Sequence, residues 1–342
     1  MHLALLKNWD SKIRALARSS LNERITLLAG VPSWLMVLIE EAKTASGQHS
    51  VTDIWPELKV LVHGGVCFEP YRLWFARELP THVIRAETYP SSEAFVAFED
   101  LRYRHLRLVP DHGIFFEFVP RGELGQARPT RHTLRDFELG VDYAIVLTTC
   151  AGLWAYVLGD VVRFERRHPP LLRFVGRTTD YLSAFGEHLT GEEIERAVSR
   201  AAEQCGAILA EFHVGPVFAE HGRPPGWHRY VLECVTPPAD VQQFAHCLDA
   251  ALRQLNADYD AHRFGDLGLG PPEIILVRRG AFADWLRTQG KLGGQHKVPR
   301  IDPAGPLTAS LMQFFAETQA VLPGTPAILT PAHNVPSKAV PC

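Results

Sequence analysis

Between residues 11 and 21 apolar positions return every three or four residues, the spacing of a helix with one buried face. The run ITLLAGVP (25–32) then closes into unbroken apolar character and SWLMVLIEEAK reopens the helical spacing. That change predicts a buried strand feeding a helix that starts near Ser33. The unit repeats: LKVLVHGGV (58–66) reads as a second short strand ending in Gly-Gly, and EPYRLWFAREL returns to helical spacing. Strand, glycine turn and helix in succession predict an α/β domain, whose ligands bind at loops beyond the carboxyl ends of its strands.

From Tyr89 the rhythm shortens. GIFFEFVP, DYAIVLTT, LWAYVLG and VVRFE are strand-length runs divided by Gly, Pro and charged turns, the pattern of an antiparallel sheet or small barrel. The Pro- and Gly-broken connection RRHPPLLRFVGRTTDYLSAFGEHLT places a domain boundary near Arg173, and GEEIERAVSRAAEQ after it carries acidic residues where a helix N-terminus prefers them. Strands AEFHVGPVF and RYVLECVT, one amphipathic helix over 241–259, strand EIILVRR and helix AFADWLRTQ then describe an α+β unit of the kind that moves as a lid. The expected organisation is the remainder of a large α/β domain with a barrel-like β region (1–172), a small α+β lid domain (173–322), and a disordered Pro/Ala-rich tail (323–342).

Composition adds mainly exclusions. With 342 residues, 46% of them hydrophobic, the chain can bury a sizeable core. A formal net charge of -3 provides no global field to recruit nucleic acid or an anionic membrane, and neither is expected as a partner. The six cysteines (Cys67, Cys150, Cys205, Cys234, Cys247, Cys342) include no CxxC pair, so free thiols in a reducing, cytoplasmic setting are expected. Sixteen histidines show no HExxH spacing, and no structural metal is expected. The longest apolar run, residues 25–39, is cut by Gly30, Pro32 and Ser33 and falls short of the roughly 20 residues that span a bilayer. The N-terminus shows no basic leader with a cleavage site, so export is not expected.

Four strings hold residue types suited to chemistry, each with an ordinary reading beside it. In YPSSE (89–93) the serine hydroxyls can donate to phosphate or carboxylate oxygens and Glu93 offers a hard oxygen to Mg2+; alone, it also reads as a polar turn closing a strand. In GLWAYVLGDVVRF, Asp160 follows Gly159 between two strand-like runs, either to accept from adjacent ribose hydroxyls or to end a Gly-Asp hairpin. FVGRTTDYLSAFGEHL places Arg177 for a phosphate or ribose contact and Asp180 and Gly186 for a hinge, or forms a linker with a surface Arg-Asp pair. GKLGGQHKVPRI lacks the GxxxxGK[ST] pattern; its glycine-rich loop carries Lys297, with Lys291 as the competing lysine, toward a phosphorus centre or simply into solvent.

Taken in series, AGVPSW, IWPELKVLVHGGVCFEPYR, YPSSE, FFEFVP, GVDYAIVLTTCAGLWAYVLGDVVRF, FVGRTTDYLSAFGEHL and GGQHKVPR resemble, in order and spacing, the motifs of the Gretchen Hagen (auxin-responsive) family of acyl-acid amido synthetases. That family is a branch of the adenylate-forming, firefly-luciferase-like superfamily, and the likeness is greatest to its bacterial members. The resemblance runs from about Trp9 to Ile301 and implies an ATP- and Mg2+-dependent reaction in which a carboxylic acid is adenylated and then transferred to an amine, typically an amino acid. By the same resemblance Glu93 holds Mg2+, and Ser91 and Ser92 lie beside the nucleotide. Asp160 holds the ribose hydroxyls, Tyr89 or Phe115 lies near the adenine, and Arg177 contacts ribose or phosphate. Lys297, carried by the lid, stabilises the α-phosphate transition state. His63, Gly64, Gly65 and Val66, with the helix from Ser33, line the acyl pocket, and Arg173, Asp180 and Gly186 form the hinge. The family's SSGTT-type phosphate loop has no counterpart here, so the resemblance implies the C-terminal two-thirds of a member: a truncated product, half of a split enzyme, or a non-catalytic binding protein. An acyl-adenylating ligase with coenzyme A or another thiol as acceptor is the alternative enzyme.

Overall fold

The computed structural model describes residues 3, 6, 8–179, 181–218, 226–263, 268–292, 297–325 and 327–328. Asn8 caps α1 (Trp9–Ser20) by accepting from the Ser11 N–H. β1 (Leu27–Gly30) hands the chain to α2 (Pro32–Ser46), whose proline sits in the first turn, where a missing N–H is tolerated, and which stops at Gly47 in the left-handed region (φ +72°). A short α3 (Val51–Ile54) leads to β2 (Val60–Gly64), α4 (Arg72–Glu78) and β3 (Ile84–Pro90). β1, β2 and β3 pair in parallel, as the strand-turn-helix rhythm predicts, and Leu35, Ile39, Trp74 and Phe75 bury against them.

At β3 the sheet turns antiparallel. β4 (Phe95–Asp100), β5 (His105–Leu108), β6 (Ile114–Pro120), β7 (Asp142–Thr149), β8 (Tyr156–Arg166) and β9 (Leu171–Arg177) complete nine strands in the order β1-β2-β3-β4-β5-β9-β8-β7-β6. The antiparallel strands share one core, with Val96, Leu106, Phe118, Tyr143, Phe164 and Leu172 at its centre. Among the described residues β6 and β4 form no ladder, so the expected barrel is an open sheet continuous with the parallel strands. The pattern reading named none of β3, β4 and β5, because RAETYP and FVAFED keep polar side chains on partly exposed faces. The boundary expected at Arg173 falls inside β9, whose pairing with β8 continues to Arg177.

The second unit opens with the hairpin β10 (Tyr181–Leu182) and β11 (Leu189–Thr190). Thr190 and Glu193 form a reciprocal capping box at the head of α5 (Gly191–Gln204). β12 (Ile208–Phe218) and β13 (Gly226–Thr236) are followed by α6 (Val241–Leu255), α7 (Ala257–His262), β14 (Glu273–Val277), α8 (Ala281–Thr288), α9 (Pro306–Glu317) and β15 (Ala327–Ile328). The single helix expected over 241–259 is divided, because Asn256 is extended (φ -139°, ψ 111°) and its side chain caps α7 by accepting from the Tyr259 N–H. β12 to β15 form one four-stranded sheet, and Phe212, Leu232, Phe244 and Leu248 fill its core. The disorder expected from residue 323 does not hold at Ala327–Ile328, which pair with β14; residues 329–342 lie outside the described residues. Among the described residues no helix is long and apolar enough to cross a membrane.

Phe164 stacks on Phe137 at 3.9 Å and meets Phe118 edge-on at 4.8 Å. Removing the ring leaves a cavity the rigid sheet cannot close. Phe164→Ala is expected to lower the unfolding free energy by about 3–5 kcal/mol, read as a lower urea midpoint at unchanged slope.

Candidate active site

A cleft of about 1230 Å3 opens where the carboxyl ends of β2 and β3 meet β8, β9, α5 and the segment 297–301. Its wall includes His63, Gly65, Val66, Tyr89, Ser91, Ser92, Glu93, Asp160, Arg173, Arg177 and Lys297, most of the residues singled out from the sequence. The parallel strands deliver the first of these as the α/β rule requires, His63 and Tyr89 at their carboxyl ends and Gly65, Val66, Ser91, Ser92 and Glu93 in the turns just past them.

Asp160 is the fixed point. β8 does not turn at Gly159-Asp160; it runs on through a bulge in which Leu158, Gly159 and Asp160 together face Ile145 of β7. Gly159 supplies the positive φ (+85°) that the bulge needs, and this removes the hairpin reading. The buried Asp160 carboxylate accepts from the Tyr89 hydroxyl at 2.5 Å and lies 3.4 Å from Arg177 Nε, its cross-strand partner on β9. Burial pushes the Asp160 carboxyl up, with the Glu93 charge adding to it and the Tyr89 and Arg177 contacts opposing. Burial and the Asp160 charge hold the Tyr89 phenol well above its usual range.

Ser91 differs from its neighbours. Its hydroxyl donates to the Ala94 carbonyl and accepts from the Ala94 N–H, both at 3.0 Å, so it closes the β3–β4 turn. Ser92 and Glu93 make no hydrogen bond among the described residues, and both line the cleft. YPSSE is therefore a turn and a cleft wall together, with the tasks divided between its serines.

Lys297 enters from the second unit. Its Nζ donates to the carbonyl of Gly65, whose φ of +81° and missing Cβ both matter, since a Cβ there would stand 2.9 Å from that nitrogen. Enclosure in the cleft pulls the Lys297 amine down, helped by the like charges of Arg177 and Arg300 and opposed by Asp160. The chain just beyond is stitched to β12: His213 Nδ1 bonds the Pro299 carbonyl at 2.6 Å, and the Val214 N–H donates to the Arg300 carbonyl at 2.7 Å. Arg300 pairs with Glu195, approaches Glu211 at 3.6 Å, donates to the Tyr71 hydroxyl at 2.8 Å and lies 5.1 Å from the Phe212 ring centre.

Other expected positions fall elsewhere. Phe115, on edge strand β6, lines a separate cavity of about 420 Å3 with Ile114, Leu134 and Arg135, so it does not reach the cleft. Gly64 lies behind the wall, where a Cβ would meet the Thr88 carbonyl at 2.2 Å; its smallness lets β2 and β3 approach. Arg173 is paired within β9 and bonded to Glu192, a poor place for a hinge. Gly186 holds a left-handed turn (φ +98°) away from the cleft, and Asp180 lies outside the described residues. Lys291 caps α8 through its N–H to the Leu286 carbonyl and is not on the cleft wall.

Sequence profiles of the GH3 family match in chain order: its N-terminal domain over residues 2–82, its central domain over 107–177 and its C-terminal domain over 192–303. The chain belongs to the GH3 family. This GH3 chain is 29% identical over 286 residues to the probable indole-3-acetic acid-amido synthetase GH3.1 of Arabidopsis thaliana, covering 76% of this chain and 46% of that protein. It spans about half the length of the curated relatives it matches. Its fold is similar to that of the GH3.15 acyl acid amido synthetase, with a TM-score of 0.73 at 19% identity, covering 94% of this chain and 68% of that one. It is also similar in fold to a 2-hydroxyisobutyryl-CoA ligase, with a TM-score of 0.60 at 12% identity, covering 91% and 61%.

The GH3 cleft holds residues that the sequence reading passed over: Arg85, Glu87, Glu195, Glu211 and Arg300, with the buried Tyr71 behind Arg300. For Arg85 and Glu87 the signal was present as the alternation R-x-E-x-Y over 85–89, the period of a strand. Arg300 lies three residues beyond Lys297, but its partners come from distant segments and no local pattern announces them.

His63 and Glu87 face each other in register on β2 and β3 and titrate in opposite senses. Burial, with Arg85 beside it, lowers the His63 imidazole to about 4; burial, with Glu99 beside it, raises the Glu87 carboxyl to about 7. Below its ordinary value of 6.5 the unfolded His63 takes up a proton that the folded one refuses, so its contribution to stability is lost as pH falls. Glu87 keeps its proton when folded and loses it above 4.5 when unfolded, so its contribution grows as pH falls from 7. Between pH 7 and 5 each effect is about 2 kcal/mol and the two offset. Urea unfolding across this range is expected to show His63→Gln gaining stability relative to the wild type as pH drops, and Glu87→Gln losing it.

Proposed function

We propose that this cleft activates a carboxylic acid with ATP as an acyl-adenylate and then passes the acyl group to an amine. The observation that carries the reading is the convergence of Tyr89, Glu93, Asp160, Arg177 and Lys297, from both units of the chain, on one wall. A buried carboxylate already oriented by Tyr89 and Arg177 keeps acceptor positions for the two hydroxyls of a ribose. Arg177 and Lys297 bring positive charge to the same side, where negative charge builds as a carboxylate oxygen attacks the α-phosphorus and pyrophosphate departs with the bonding electrons. In the second step the neutral amine nitrogen attacks the acyl carbon, the bond to the AMP oxygen breaks with its electron pair leaving on AMP, and the nitrogen gives up one proton to the departing phosphate or to water. The phosphate groups also supply the countercharge that Lys297, crowded by Arg177 and Arg300, otherwise takes from Asp160 and the Gly65 carbonyl.

Glu93 is the residue that would hold Mg2+. Among the described residues no group of three or more His, Cys, Asp or Glu is placed to hold a metal ion. A lone carboxylate at the cleft fits Mg2+ all the same, because that ion takes one or two carboxylates and completes its shell with substrate phosphates and water. Bound there, it would neutralise phosphate charge.

Amide- and thioester-forming ligases share this fold, so the acceptor is a matter for experiment. Acid-dependent release of pyrophosphate is expected to fall at least about 100-fold in Lys297→Ala with nucleotide affinity nearly unchanged, the mark of a group acting on the transition state. Asp160→Ala is expected to weaken ATP binding about tenfold or more, measured by calorimetry. Consumption of the acid with coenzyme A and none with any amine would overturn the amide assignment.

A further inference from the structure

Lys297 reaches Gly65 because the second unit sits against the first, and ionisable groups are enclosed where they meet. Ile208, Ala210 and Val235 of the second unit pack against the core of the first. Beside them Cys67 and Tyr71 of the first unit meet Glu195, Glu211 and Arg300 of the second. The Arg300, Glu195 and Glu211 side chains are 11%, 16% and 14% exposed, so two carboxylates share one guanidinium largely out of water. The sharing is unequal. Arg300 Nη1 pairs with Glu195 and Nη2 donates to the Tyr71 hydroxyl at 2.8 Å, while Nε stands 3.6 Å from Glu211, beyond a hydrogen bond. Glu195 also accepts the Cys67 thiol.

Among the described residues Glu211 is left with the Phe212 N–H at 3.2 Å and the Tyr71 hydroxyl, which lies 3.4 Å from either carboxylate oxygen. Opposite it on β13 stands Glu233, a third carboxylate, whose oxygens accept the N–H groups of Gly280 and Phe282. Like charges paired across a sheet repel. Arg72 of α4, a further cation on this side, is paired with Glu69 and Glu203. Glu211 therefore carries the surplus charge of the interface. Burial holds its carboxyl up at about 7, with Glu233 adding to the effect and Arg300, the Phe212 N–H and Tyr71 opposing it. Once protonated, Glu211 becomes a donor across the boundary, and the Tyr71 oxygen, already accepting from Arg300, keeps a lone pair for it.

We propose that Glu211 is a positioning residue for Lys297: the second unit seats against the first by taking up one proton, held on Glu211 and donated to Tyr71. Glu195, Glu211 and Arg300 all belong to the second unit, so separation keeps them together and returns Glu211 to water, where it ionises at its ordinary value of 4.5. Between pH 4.5 and 7 the seated form binds one proton more than the separated form. Seating is thus strongest at the acid end of that window and weakens as the pH rises through it. What Lys297 does once seated rests on the adenylation reading above; how it is brought to Gly65 does not.

The test is single-molecule energy transfer in the full chain, between dyes attached through encoded azido side chains at the exposed positions Thr52 of the first unit and His246 of the second. The ratio of seated to separated molecules is expected to fall about 40-fold from pH 5 to pH 7 and to change little above pH 8. Glu211→Gln, neutral at every pH, is expected to stay seated and to flatten the profile. Glu195→Gln leaves Glu211 as the sole carboxylate facing Arg300 and is expected to move the midpoint to lower pH. Tyr71→Phe removes the acceptor and is expected to weaken seating more at pH 5 than at pH 8. A wild-type ratio that does not change between pH 5 and 7, a profile unchanged in Glu211→Gln, or a Glu195→Gln midpoint that moves up would each overturn the role. Pyrophosphate release reads adenylation separately: its absence with the seating titration intact sinks the adenylation reading and leaves the positioning role standing.

Discussion

One enclosed cation sets the relation between the two halves of this molecule. The Arg300 side chain is 11% exposed, and a guanidinium so far from water survives only with its charge and its donors matched. Glu195 of α5 and Glu211 of β12 supply the charge, Phe212 a ring face, and the Tyr71 hydroxyl an acceptor. Tyr71 belongs to the first unit and is itself buried, so satisfying Arg300 requires the two units to meet here. Burial alone would weaken the Arg300 charge; Tyr71, Glu195 and Glu211 more than compensate and hold it firmly protonated. The same segment is stitched to β12 through Pro299, Arg300 and Asp302, leaving Lys297 as the first residue free to reach across the cleft.

Across the cleft the charges are arranged in unequal degrees of completion. Arg300 is matched on every side, Asp160 has two partners while burial still raises its carboxyl, Lys297 leans on a carbonyl, and Arg85 has no carboxylate within reach among the described residues. This gradient separates what holds the site together from what the site is built to receive. A group fully satisfied by protein gains little from a ligand, whereas one left short lends its interaction energy to whatever binds.

The parallel part of the fold was legible because β1 and β2 read as apolar runs between helices, a pattern with few alternatives. β3 to β5 were not, since their polar faces line the cleft and imitate a loop; function there blurs the strand signal. Motif order singles out Asp160, Arg177 and Lys297, and all three lie on one cleft wall. Phe115, the alternative to Tyr89 beside the adenine, was assigned by the same route and lies on β6, no residue of which lines the cleft, because a motif fixes a strand's identity but not its distance from the site. Arg300 and Tyr71 are 229 residues apart in sequence, and nothing local to either encodes their meeting.

The bulge in β8 shows that part of the site is specified by counting. Three residues, Leu158 to Asp160, occupy the length for which β7 provides one, and the surplus turns the Asp160 carboxylate toward Tyr89 and Arg177. Side chains in a strand change face with every residue, so shortening this segment by one carries the carboxylate to the opposite side of the sheet with its identity intact. A frame-preserving deletion between Val157 and Asp160 is thus chemically equivalent to losing the aspartate, although no acidic residue has been removed.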